Sequence, residues 1–98
     1  RGVLMGEPVI VIKSHSTKKT EYFDIDKLQK SLVATCRSLK TPDGQAEDIA
    51  KSVATGVAKW AESKQEITTD DIRRVGAKLL TKYHPEAAYL YKQQLTVI

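Results

Sequence analysis

The chain has 98 residues, 41% of them hydrophobic and 29% charged, with a formal net charge of +4. This length supports one domain with a single core, and the composition is that of a globular protein rather than a disordered or fibrous one. The longest apolar runs, such as Val9–Ile12, are far too short to cross a bilayer, no signal peptide is visible, and the positive charge is dispersed. Residues 42–66 are net acidic while the flanking stretches are mildly basic, so the chain lacks the coherent basic stripe that marks dedicated nucleic-acid binding.

Residues 1–8 carry no periodicity and read as a disordered N-terminal segment, leaving residues 9–98 as the domain. After Pro8, the β-branched run Val9-Ile10-Val11-Ile12 predicts a strand. Ser14–Thr20 is polar, and Tyr22-Phe23 predict the returning strand of a hairpin with a long, flexible tip. Asp24 is an N-cap for the helix that follows, in which Leu28, Leu32, Cys36 and Leu39 recur at helical spacing with Val33 widening the stripe. Thr41-Pro42-Asp43-Gly44 is a turn signal. A second helix is predicted from about Gln45, with Ile49, Val53, Val57 and Trp60 on one face and Ala46, Ala50 and Ala54 beside them. Small residues alternating with large ones permit close helix–helix approach; Gly56 costs this helix roughly 1 kcal/mol against alanine.

Ser63–Glu66 is a second polar break. Ile67 predicts a one- or two-residue extended piece, and a threonine cap followed by Asp70 and Asp71 predicts a third helix start. Ile72, Val75, Leu79 and Tyr83 form its expected buried stripe, with Leu80 at the edge. His84 reads as a cap or turn residue, and Pro85 suits the first position of a fourth helix carrying Ala87–Tyr91. The fold class is therefore α+β and mostly helical: a four-helix bundle capped by a small β-hairpin or three-stranded sheet. The lone Cys36 sits at an apolar helical position, which predicts a buried thiol and fits a reducing cytoplasm.

Signatures of catalysis are absent. The five glycines form neither a phosphate-binding loop nor a dinucleotide fingerprint, and two histidines with one cysteine fit no zinc spacing. His15, in the hairpin tip, reads as solvated. The hairpin-to-helix junction is the one place where charges gather. Lys13 stands just past the apolar strand, Glu21 on the returning strand, Asp24 at the cap and Lys27 one turn into the helix. A helix N-terminus carries partial positive charge and unpaired N–H groups, and two lysines facing it make a site suited to phosphate. Singly, these residues read as a surface lysine, a cap and a cross-strand ion pair worth a few tenths of a kcal/mol.

In order, Val11-Ile12-Lys13, Tyr22-Phe23-Asp24 with Lys27-Leu28, Glu66-Ile67-Thr68-Thr69 with Ile72, and Ala88-Tyr89-Leu90 resemble the ATP-cone domain. That domain is the regulatory nucleotide-binding module at the front of many ribonucleotide reductases and in the repressor of their genes. The resemblance spans roughly residues 9–95. It implies a four-helix bundle under a β cap that binds ATP or dATP, with or without Mg2+, and signals to an attached catalytic domain, a partner protein or a homo-oligomer. Carried over by residue, Val11, Lys13 and Glu21 line the hairpin side, Asp24, Lys27 and Leu28 the helix side, and Thr69 approaches from the third helix. The lysines would contact phosphate, Val11 and Leu28 would pack on the base, and Glu21 and Asp24 would bond base or ribose. Ser14 stands where the family has arginine, a loss of one charge-assisted phosphate bond worth about 1.5–3 kcal/mol; Lys18 or Lys19 in the tip is the expected substitute. After Ala88-Tyr89-Leu90, Tyr91-Lys92 replaces the family's arginine–aromatic continuation. Two alternatives stand beside this expectation: a DNA-binding regulator, though the chain has no four-cysteine ribbon, and a degenerate cone kept as a protein-interaction module. The chain itself is expected to be no enzyme.

Overall fold

The computed structural model describes residues 9–14 and 19–93, and for Lys13, Ser14 and Lys19 the backbone alone. The expectations for the segment 1–8 and for the hairpin tip with His15 and Lys18, and the end of the resemblance past residue 93, lie outside the described residues. The elements are β1 (Ile10–Ser14), β2 (Lys19–Tyr22), α1 (Ile25–Ser38), α2 (Asp43–Ala61), β3 (Glu66–Thr68), α3 (Thr69–Leu80) and α4 (Pro85–Gln93). This is the expected α+β, mostly helical architecture.

Both hairpin strands run further into the polar stretch than hydrophobicity suggests, because ladder hydrogen bonds join backbones whatever the side chains are. Ile10 pairs with Tyr22, Val11 with Glu21 and Ile12 with Thr20, and the register shifts between Ile12 and Ser14, which pairs with Lys19. Phe23 falls outside β2, though its N–H still donates to the Val9 carbonyl at 2.8 Å. On its other side β1 pairs in parallel with β3, Val11 opposite Ile67, so the sheet order is β2-β1-β3. Cross-strand partners share a face; Val11 and Ile67, both buried, mark that face as the one turned to the helices.

Two helices grow directly out of the sheet. Asp24 caps α1 after β2, and Thr68, the last residue of β3, caps α3 in a capping box with Asp71. Each helix packs on the next in sequence, and α4 returns to α1, which closes the bundle. The sheet thus covers the end where α1 and α3 begin. At the far end the turn after α1 meets the turn after α3, where the Thr41 hydroxyl lies 3.0 Å from His84 Nε2. His84 Nδ1 also accepts from the Ala87 N–H at 3.4 Å, which makes it the cap residue expected from sequence.

The core runs through Leu28, Leu32 and Cys36 of α1, Ile49, Val53 and Val57 of α2, Ile72 and Leu80 of α3 and Tyr91 of α4. Two expectations need correction. Helix α2 starts at Asp43, not near Gln45: Pro42 has a fixed φ and accepts the Ala46 N–H at 2.8 Å, so the turn signal opens the helix. The buried face of α3 is Ile72, Gly76, Ala77 and Leu80, while Val75 and Leu79 are half-buried and Tyr83 is 52% exposed. Helix α3 ends at Leu80, so the helical period does not reach Tyr83, and Leu80 moves from the edge to the centre. Gly76 occupies the stripe because the Tyr91 ring lies against it; a Cβ there would stand 3.1 Å from Tyr91 Cε2.

Candidate functional site

The junction of β2 and α1 holds a shallow hollow with an interior space of ≈ 10 Å3, about that of one water. Val11, Phe23, Leu28 and Ile72 form its apolar lining, and Glu21, Tyr22, Asp24 and Lys27 stand around it. The local sequence explains each placement. Register puts Glu21 opposite Val11, and so on the helix side of the sheet. Asp24, two residues past β2, has extended backbone (φ −127°, ψ 105°) and caps the helix. Lys27 and Leu28 follow in the first turn, where a one-residue step turns the side chain from solvent to core.

The electrostatics differ from the sequence expectation in one respect. Two N–H groups at the start of α1 are already taken by its cap: Asp24 Oδ1 accepts from Asp26 N at 3.0 Å and Lys27 N at 3.2 Å. Lys27 Nζ lies 3.0 Å from both carboxylate oxygens of Glu21, in a pair whose side chains are 45% and 36% exposed. A pair this exposed is worth about 0–1 kcal/mol, so exchanging Glu21 for a phosphate costs little.

Of the residues expected at a ligand site, Val11, Glu21, Asp24, Lys27 and Leu28 surround this hollow. Thr69 does not line it. It opens α3 beside the end of β1, with its hydroxyl directed at the Ile12 carbonyl at a long 3.5 Å. The side chains of Lys13 and Ser14 lie outside the described residues, so the meeting of Lys13 with Lys27 does too. Phe23, Tyr22 and Ile72 complete the lining without having been singled out for that role. Ile72 was visible as a core residue, but only the fold brings the first turn of α3 against the hairpin. Among the described residues no group of three or more His, Cys, Asp or Glu side chains is gathered to hold a metal ion. Nor is any described helix long and apolar enough to cross a membrane.

Comparison with known proteins finds no matching family model, no matching curated protein and no matching solved structure.

Proposed function

We propose that this domain is a regulatory nucleotide-binding module, taking ATP or dATP at the hairpin–helix junction and controlling an attached or partner protein through assembly or conformation. One observation carries the reading: an ammonium that is cheap to release stands at the mouth of an apolar hollow edged by two carboxylates. A ligand with an apolar face, hydroxyl or amine donors and an anionic tail matches those groups in turn. The interior space of the hollow, ≈ 10 Å3, is far below the roughly 300–1,000 Å3 of enclosing ligand pockets. The base or ribose therefore lies across its apolar mouth, on Val11, Phe23 and Leu28, with the phosphates outward on the Lys27 side. Any magnesium arrives on the phosphates, since no acidic cluster of the described residues awaits it.

The test is a thermal-unfolding titration with ATP and dATP, with and without magnesium. A native-state ligand at a hundred times its dissociation constant adds about 2.7 kcal/mol, a rise on the order of 10 °C for a domain of this size. Lys27→Ala is expected to abolish the rise while changing ligand-free stability by less than about 1 kcal/mol. Absence of any shift at millimolar nucleotide rejects the reading. Because ligand and assembly are linked reciprocally, the same titration followed by light scattering shows whether assembly is the output.

A further inference from the structure

A second concavity, of ≈ 330 Å3, lies between α3 and α4 and is lined by none of the residues of the proposed nucleotide site. Its floor is small and apolar: Ala77 and Ala88 are 6% and 4% exposed, and Pro85 lies at the start of α4. Thr81, also lining it, donates its hydroxyl hydrogen to the Ala77 carbonyl at 2.8 Å, inside its own helix turn. The lip carries the Tyr89 side chain, on a residue 70% exposed, and three cations, Arg74, Lys78 and Lys92. No carboxylate lines the groove. Arg74 is paired with Asp71 at 3.1 Å, whereas Lys78 and Lys92 form no ion pair with the described residues.

An apolar trough of alanines with a tyrosine wall and uncompensated positive charge on its rim is complementary to one kind of occupant. We infer that the α3–α4 groove docks an acidic amphipathic segment of a partner protein, with apolar side chains on the alanine floor and carboxylates on Lys78 and Lys92. The lining positions from Arg74 to Thr81 span eight residues, roughly 10 Å of helix, which fits two turns of a partner helix anchored at i, i+3 or i+4, and i+7. Exposed tyrosine and arginine are the residue types on which such interfaces concentrate their energy. Nucleic acid fits less well: two unpaired cations beside a third already neutralised do not make a track for a phosphate backbone.

The experiment uses the full chain and a fluorescein-labelled peptide of three helical turns, leucines on one stripe and glutamates elsewhere, read by anisotropy. Saturable binding that weakens with salt is expected, and Lys78→Glu with Lys92→Glu weakens it roughly tenfold or more. Tyr89→Ala weakens it too. Thermal melts check that each variant is folded, and the single Lys92→Glu change with the salt series decides the matter if the double reversal does not fold. The same peptide with lysine in place of glutamate is expected not to bind. The inference is overturned if the acidic peptide does not bind, if charge reversal leaves binding unchanged, or if labelled oligothymidylate binds more tightly and displaces the peptide. The nucleotide response of the hairpin site is expected to survive Lys92→Glu, so the two proposals stand or fall separately.

Discussion

Lys40 carries the one positive φ of a non-glycine residue among the described residues, at 63°. It follows the C-cap Leu39 of α1, and the hydrogen bonds around it have a definite pattern. Its N–H donates to Arg37 O at 2.9 Å, and the Thr41 N–H reaches back to Cys36 O at 3.2 Å. Those are the two bonds of a Schellman motif, in which glycine normally occupies the left-handed position. A lysine there costs roughly 1–2 kcal/mol of backbone strain. Lys40→Gly is therefore expected to stabilise the domain by about 1 kcal/mol, net of the glycine's entropy, and to raise the melting temperature by about 4–8 °C. A lower melting temperature for the variant would contradict this account of the turn. Sequence could not reveal the site: Lys40 looks like any surface lysine until φ is known, whereas Asp24 declares its capping role by type and position.

At the scale of elements, the start of α3 holds the strongest local signal. Thr68 accepts from the Asp71 N–H at 3.0 Å, and the Asp71 carboxylate accepts from the Thr68 N–H at 3.1 Å. That backbone bond, with further help from Arg74, holds the Asp71 carboxyl below its ordinary 3.8. The sign of the consequence follows directly. An unfolded chain protonates Asp71 first on acidification, so the stabilisation is complete above about pH 4 and is lost as pH falls through the lower folded value. Asp71→Asn is expected to flatten the fall in melting temperature below about pH 4, and Thr68→Ala to cost about 1 kcal/mol at neutral pH. Melts recorded from pH 2 to 6 check both; an unchanged acid profile in Asp71→Asn would sink the cap assignment. The same helix shows where periodicity misleads. Val75, Leu79 and Tyr83 keep helical spacing with Ile72, yet the stripe that is buried runs through Gly76 to Leu80, because α3 meets Tyr91 of α4 there. A glycine at a helix–helix contact has no hydrophobic signature, so its neighbours take its place in any reading by pattern.

Over the whole molecule, Cys36 and Tyr91 report on the integrity of the bundle. Both are fully buried. Burial pushes the Cys36 thiol up, and pushes the Tyr91 phenol up to about 12 against smaller opposing pulls from Ser31 and the Arg73 guanidinium. A thiol so placed reacts only when the bundle opens. Labelling of Cys36 by a disulfide reagent is expected to be orders of magnitude slower in native buffer than in denaturant. Leu32→Ala, expected to cost about 2–5 kcal/mol, should speed the native rate in proportion. A native rate close to the denatured one would mean that α1 opens alone.

The elements themselves were legible in the chain because their causes are local. Asp24 and Thr68 begin helices by offering side-chain oxygens to nearby N–H groups, and Pro85 opens the helix that follows its turn. The charged junction of β2 and α1 was legible for the same reason, since Glu21, Asp24 and Lys27 lie within seven residues. What the chain alone did not decide is how distant segments meet. The parallel pairing of β1 with β3, the arrival of Ile72 at the hairpin hollow and the groove between α3 and α4 depend on contacts that join non-adjacent elements. The register shift between Ile12 and Ser14 belongs to the same class, because strict alternation from Val11 stops holding there. Local spacing determined which residues form each element; only packing in three dimensions decided which face α3 hides and which polar groups share a hollow, since burial is settled by partners far away in the sequence.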